Sequence, residues 1–154
     1  APNQFIGDSV MAIFGLRSDL PSACAQALDA ARRIDAALED WSRAFEAEFG
    51  QTLDFGMGLH AGRAAVGEVG YLETTSFTAV GEVVNTASRL QDYSKVAEAR
   101  LVLSLEAARL AGVAQALGTP VQVQVRGRSQ PLDVLHVRRP SQHWGEPRSA
   151  VQQG

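Results

Sequence analysis

The sequence is short of almost everything that marks a chain for a nucleic acid, a membrane or an oxidising compartment. It has one cysteine, Cys24, so no internal disulfide can form. The alanine-rich, helix-like stretch around it reads as a buried, inert thiol in a reducing, cytoplasmic setting. Basic residues are in deficit, 14 against 17 acidic, for a net charge of −3. That leaves no clustered basic surface of the kind phosphate backbones demand, which excludes a nucleic-acid partner. No apolar run approaches the ~18–20 residues of a membrane helix, and no basic stretch ahead of an apolar one marks a secretory leader. What remains, at 154 residues and 45% hydrophobic, is one globular domain around a single core with no membrane contact of its own. The chain opens only a few residues ahead of the strand-like Gln4-Phe5-Ile6. The expectation is therefore that the domain starts upstream of Ala1.

The apolar pattern lays out the elements. Phe5-Ile6 and residues 10–14 are short apolar runs separated by Gly7-Asp8-Ser9, two strands joined by a tight turn that exposes Asp8. From 21 to 49, Leu28, Ala31, Ile34, Leu38, Trp41, Phe45 and Phe49 recur every three or four residues, with Asp29, Arg32, Arg33, Asp35, Glu39 and Asp40 between them. This predicts a long amphipathic helix on a sheet, Pro21 in its first turn and the three aromatics in the core. Residues 53–60 and 64–69 read as a second pair of strands and 76–80 as a further extended element. Residues 82–96 have helical spacing, 100–103 are strand-like and 105–111 form a short helix. Val121 to Val125 alternates strictly with glutamines, and 132–137 is its hairpin partner after the turn at Pro131. The polar stretch after Arg138, with Pro140 and Pro147, reads as a linker or disordered end, dividing the chain into a domain at 1–138 and a tail at 139–154. Strands in pairs between two long helices predict an α+β fold, helices on one face of a mainly antiparallel sheet.

Three segments carry chemistry. In Gly81-Glu82-Val83-Val84-Asn85-Thr86-Ala87-Ser88-Arg89-Leu90, a glycine precedes a helix on which Asn85 and Arg89, four apart, share one face. Asp8 in its strand-turn-strand corner presents a carboxylate, which is half of what a hard divalent cation needs beside phosphate oxygens. Arg126-Gly127-Arg128 ends a strand with two guanidiniums able to grip phosphate. Each also has a plain structural reading: a solvated stripe, a hairpin turn, two exposed arginines.

In order along the chain, these segments resemble the class III nucleotidyl cyclase catalytic domain, the adenylyl and guanylyl cyclase family. The resemblance runs from about Asn3 to Val137. It is carried by Phe5-Ile6-Gly7-Asp8-Ser9-Val10-Met11-Ala12-Ile13-Phe14-Gly15, by Gly58-Leu59-His60-Ala61-Gly62 with Val66-Gly67, by Phe77-Thr78-Ala79-Val80-Gly81 through Asn85 to Arg89-Leu90, and by Arg126-Gly127-Arg128-Ser129. It implies a ferredoxin-like βαββαβ arrangement. It also implies conversion of a nucleoside triphosphate, ATP by preference and GTP otherwise, to a 3′,5′-cyclic nucleotide and pyrophosphate. Asp8 would be the second of two metal aspartates holding two Mg²⁺ or Mn²⁺ ions. Asn85 would orient the ribose, and Arg89 would stabilise charge developing on the α-phosphate. Arg126 would grip the triphosphate, and Gln4 and Thr78 would read the base. The family builds each site at a head-to-tail homodimer interface, so Asp8 of one subunit would face Asn85, Arg89 and Arg126 of the other.

The chain also departs from the family pattern. The first metal aspartate belongs on a strand before the Gly-Asp hairpin and falls outside this sequence. Gln4 stands where adenylyl cyclases often carry lysine, and its amide suits either purine edge. Thr78 in place of an acid resembles a bacterial subgroup of adenylyl cyclases. Gly56 stands where many members carry a phosphate-facing arginine.

Competing readings rest on less. Gly7-Asp8-Ser9-Val10 with Asp133 and His136 matches the blocks of the Gly-Asp-Ser esterases, with Ser9 as nucleophile and His136 as base. Asp133 and His136 lie three apart on one strand, however, and so point to opposite faces. Gly56-Met57-Gly58 with Gly62 is one residue too long for a dinucleotide loop and leads into a strand rather than a helix. His60, with no second His or Cys near it, is a packed residue rather than a metal ligand. The rival that shares the fold is a catalytically degenerate cyclase domain acting as a nucleotide-binding or dimerising regulatory half.

Overall fold

The computed structural model of the chain describes residues 3–6, 9–71 and 74–142. It is a mixed α+β fold. Strands β1 (Asn3–Ile6) and β2 (Ser9–Ala12) form an antiparallel hairpin, with Ile6 opposite Ser9. Helix α1 (Leu20–Phe49) follows. Asp19 caps it by accepting from the Ser22 backbone N–H at 2.8 Å, proline occupies its first turn, and Gly50 closes it. Strand β3 (Met57–Leu59) leads to a long hairpin of β4 (Ala65–Tyr71) and β5 (Thr74–Val80). Helix α2 (Glu82–Val96), strand β6 (Leu101–Ser104), helix α3 (Leu105–Leu110), a 3₁₀ turn at Ala114–Leu117, and strands β7 (Val121–Val123) and β8 (Leu132–Val137) complete the chain.

The central sheet runs β3-β6-β8-β7, parallel between β3 and β6 and antiparallel elsewhere. Parallel neighbours need a crossover, and the chain between them supplies it with the β4–β5 hairpin and α2. Strand β6, Leu-Val-Leu-Ser, is buried at every position, as a strand covered on both faces must be. Its side chains alternate. Leu101 and Leu103, with Leu135 and Val137 of β8, pack against Leu28 and Ala31 of α1 and Ala108 of α3. Val102, with Val134 of β8 and Val125, packs against Leu90 of α2. The helices thus lie on both faces of the sheet, not on one as the pattern of elements predicts. The alternation of apolar residues along β6, buried at every position, and at Val134 and Leu135 of β8 is what requires a second layer.

Three further expectations are corrected. Trp41 and Phe49 are not core: they are 71% and 59% exposed, because the buried positions of α1 end at Asp35 and the helix runs on past the sheet. Asp35, read as one charge among several on the wet side, is fully buried. Its Oδ1 accepts from Arg100 Nη1 at 2.9 Å, and its Oδ2 accepts from the backbone N–H and hydroxyl of Ser141 at 2.9 and 2.6 Å. Glu39, one turn on, pairs with Arg100 at 2.6 Å and Arg139 at 3.4 Å. Burial alone drives the Asp35 carboxyl up, but the Ser141 and Arg100 hydrogen bonds outweigh it and leave it below the ordinary carboxylate range. The third correction follows from the second. Residues 138–142, the start of the predicted tail, are tied down on α1, with Pro140 fully buried.

Boundaries shift where irregular backbone intervenes. The predicted strand over 53–60 is regular only at Met57–Leu59. The extended element expected at 76–80 begins at Thr74. Strand β7 stops at Val123 because the chain turns at Arg126.

Candidate active site

Helix α2 is the platform. Its buried side chains are Thr86, Leu90 and Ser94. Asn85 and Arg89, one turn apart, lie on the opposite face and are exposed. Gly81, at φ 152°, lets β5 turn directly into the helix without a side-chain cap. The helix sits unusually close to β3. A Cβ on Gly58 would come within 2.2 Å of the Ala87 carbonyl oxygen and 2.4 Å of the Gln91 nitrogen, both backbone atoms. A Cβ on Gly56 would meet Ser94 Oγ at 1.9 Å, and that hydroxyl is committed to the Gln91 carbonyl at 2.6 Å. The place where many family members carry an arginine is thus filled from α2 by Ser94. No feature of the sequence around Gly56 announces this, since Ser94 is 38 positions away.

Arg126 reaches the same platform by a turn. The Arg128 N–H donates to the Val125 carbonyl at 3.1 Å, and Gly127 between them has φ 88°. With Arg126 at negative φ, this is a type II turn with glycine at its required position and Arg126 at the exposed corner. Val125 anchors the turn in the cluster that contains Leu90, the neighbour of Arg89. Arg128 Nη1 pairs with Glu82 Oε1 at 3.7 Å on the first turn of α2. Asn85, Arg89 and Arg126 are thereby presented from one helix and from the turn pinned to it. Among the described residues neither Arg89 nor Arg126 is ion-paired, although most of the charges around α1 are.

The remaining predicted site residues are less defined. Asp8 lies outside the described residues. The backbones of Gln4 and Thr78 sit in β1 and β5, opposite Met11 and Gly67, and their side chains are outside the described part. Among the described residues there is no group of three His, Cys, Asp or Glu able to hold a metal ion. A hard divalent cation takes one or two carboxylates beside phosphate oxygens, and of the predicted metal ligands this sequence carries Asp8.

The hairpin edge and the sheet edge are both open. Among the described residues, β2 pairs only with β1 and β3 only with β6. Between them lies a groove of about 390 Å³, lined by Met11, Ile13, Met57 and Leu59 and floored by Ala27 and Ala87 of the two long helices. His60 lines it too. Its Nδ1 lies 2.8 Å from the buried Ser104 hydroxyl, which also caps α3, so it is a packed residue as expected. Burial first, and then the positive charge of Arg128, push its pKa down. The esterase reading finds no support. Ser9 stands in the separate β1–β2 hairpin, and His136 Nε2 is buried without a hydrogen-bond partner, its ring tilted against Tyr93.

Comparison with known proteins agrees with this fold. The family model for the adenylate and guanylate cyclase catalytic domain matches residues 4–133. An uncharacterised protein of Mycobacterium tuberculosis is 34% identical over 134 residues, a match that covers 84% of this chain and 23% of that protein. The adenylate cyclase of Anabaena cylindrica is 25% identical over 143 residues, covering 88% of this chain and 28% of the relative. The chain thus spans about a quarter of the length of these relatives. Among solved structures, the guanylyl cyclase Cya2 superimposes with a TM-score of 0.76 at 21% identity, covering 97% of this chain and 73% of that one. The adenylyl cyclase CyaB of P. aeruginosa gives 0.74 at 23%, covering 94% and 74%. These two show the fold. With the family model matched across most of its length, the chain belongs to the class III adenylate and guanylate cyclase catalytic domains.

Proposed function

We propose that this domain makes cyclic AMP from ATP at a head-to-tail homodimer interface. The observation that carries this reading is the presentation of Asn85, Arg89 and Arg126, exposed and free of ion-pair partners, from α2 and the turn pinned to it. A polar set of that kind on the outer face of a helix has nothing to act on within its own subunit. A second copy would bring the β1–β2 hairpin with Asp8 across from it. In the reaction the ribose 3′-oxygen attacks the α-phosphorus, the bond to the β-phosphate oxygen breaks, and pyrophosphate leaves. Asn85 holds the ribose so that its 3′-oxygen lies in line with the leaving group. Arg89 donates to the α-phosphate oxygens as charge gathers on them, and Arg126 holds the β- and γ-phosphates. Divalent ions, where bound, would activate the 3′-hydroxyl and neutralise the triphosphate. Asp8 would supply one of the carboxylates that hold them.

A regulatory, non-catalytic reading draws on one observation: Ser94 fills the place of the family arginine at Gly56. The two readings part in a single experiment. The full-length protein, incubated with ATP or GTP and Mn²⁺, is expected to yield cyclic AMP detectable by chromatography. Arg89→Ala is expected to lower kcat by about 100-fold or more with an unchanged melting temperature, the usual cost of removing one transition-state donor. Absence of any cyclic nucleotide from an intact dimer would overturn catalysis and leave the regulatory role.

A further inference from the structure

We propose that Glu82 and Arg128 are positioning residues, an ion pair that clamps the turn at residues 125–128 onto the head of α2 and so fixes Arg126 beside Asn85 and Arg89. The inference rests on the cyclase reading above and extends it to two residues that the reading leaves without a role.

The turn needs a hold. Strand β7 ends at Val123, so no ladder hydrogen bonds reach the corner where Arg126 stands. Among the described residues it is retained by buried Val125 beneath, the Gln124 Nε2 bond to the Arg128 carbonyl at 3.2 Å, and the Arg128–Glu82 pair at 3.7 Å. Only the last ties the turn to the helix by charge. Glu82, Asn85 and Arg89 follow one another at spacings of three and four, so they form one stripe along α2 with Glu82 at its head. The hold is therefore applied on the catalytic face and not behind it.

Arg128 behaves as an anchor rather than a ligand group. Its side chain is 25% exposed, and its Nε is buried with no hydrogen-bond partner among the described residues. A guanidinium with nothing to fix would turn to water. Glu82, 70% exposed, meets it from the first turn of α2, where a carboxylate is also favoured by the helix dipole. Glu82 neutralises Arg128 and leaves the guanidinium of Arg126 free for an anion.

Glu82 is largely exposed, so neutralising it costs little stability and leaves a folded protein to assay. The test is a double-mutant cycle on the full-length protein with whichever of ATP or GTP the wild type converts, comparing wild type, Glu82→Gln, Arg126→Ala and the double variant. Glu82→Gln is expected to raise KM about fivefold with kcat within about twofold. On the Arg126→Ala background it should raise KM no further, and the reversal Glu82→Arg with Arg128→Glu should bring KM back towards wild type. Equal factors on both backgrounds, or no rise in KM, would overturn the clamp while an active wild type keeps the cyclase reading. A wild type without turnover removes that reading and the clamp with it.

Discussion

Helices α1 and α2 flank the same sheet and meet it in opposite ways. The shorter, α2, lies so close to β3 that a single Cβ at Gly58 would strike its backbone, and its exposed face carries the predicted catalytic pair. The longer, α1, buries Ala23, Cys24, Leu28, Ala31 and Asp35 and then runs on for fourteen residues with Trp41 and Phe49 largely in water. Close packing fixes a helix in every direction, whereas half-packing fixes one end and leaves an apolar stripe open. The difference puts the proposed catalytic residues on the closely packed helix and the uncommitted surface on the other.

The sharpest way to break that contrast is at Gly58. Gly58→Ala must displace α2 backbone, and we expect a loss of about 4 kcal/mol or more, or failure to fold, read by urea denaturation. A wild-type midpoint would mean that α2 is not held as described. The next effect is at the one point where α1 is fixed by charge. Asp35→Ala leaves both Ser141 donors without their buried acceptor and Arg100 with Glu39 alone, and is expected to cost about 3 kcal/mol in the same measurement. The sign with pH follows from a carboxyl held below its ordinary range. Its contribution is complete above the unfolded value near 4 and is lost as pH falls through the folded one, so the variant should show a flatter acid limb between neutral pH and pH 2. A parallel acid limb would mean that the Asp35 carboxylate is not what the hydrogen bonds stabilise. The smallest effect is expected at the free end of α1, where Trp41→Gln should change stability by no more than about 0.5 kcal/mol. A larger loss would show that something covers the stripe.

Much of this was legible in the sequence, and the failures share a cause. Helix α2 was bounded to the residue by its spacing, and β8 likewise, because both have apolar faces set by local period. Asn85 and Arg89 share a face by the same arithmetic, whereas Arg126 is singled out by the family resemblance and not by any local period. Period cannot say how far a helix outruns the sheet beneath it, so Trp41 and Phe49 read as core. Nor can it say which charge on a wet stripe has partners 65 and 106 positions away, which is the case for Asp35. The ion pair of Glu82 with Arg128 and the intrusion of Ser94 beneath Gly56 are likewise long-range, and only the folded chain brings them together.

The knot at Asp35 also bears on the order in which the chain can fold. Its donors come from Arg100 and Ser141, so the carboxylate that ends the buried half of α1 stays unpaired until nearly the whole domain has been made. Contacts of such sequence separation are slow to close, and a chain leaving the ribosome from its N-terminus reaches this one late. Residues 138–142 are thus the closing stitch of the fold: until they arrive, α1 can form as a helix but cannot be finished as a wall of the core.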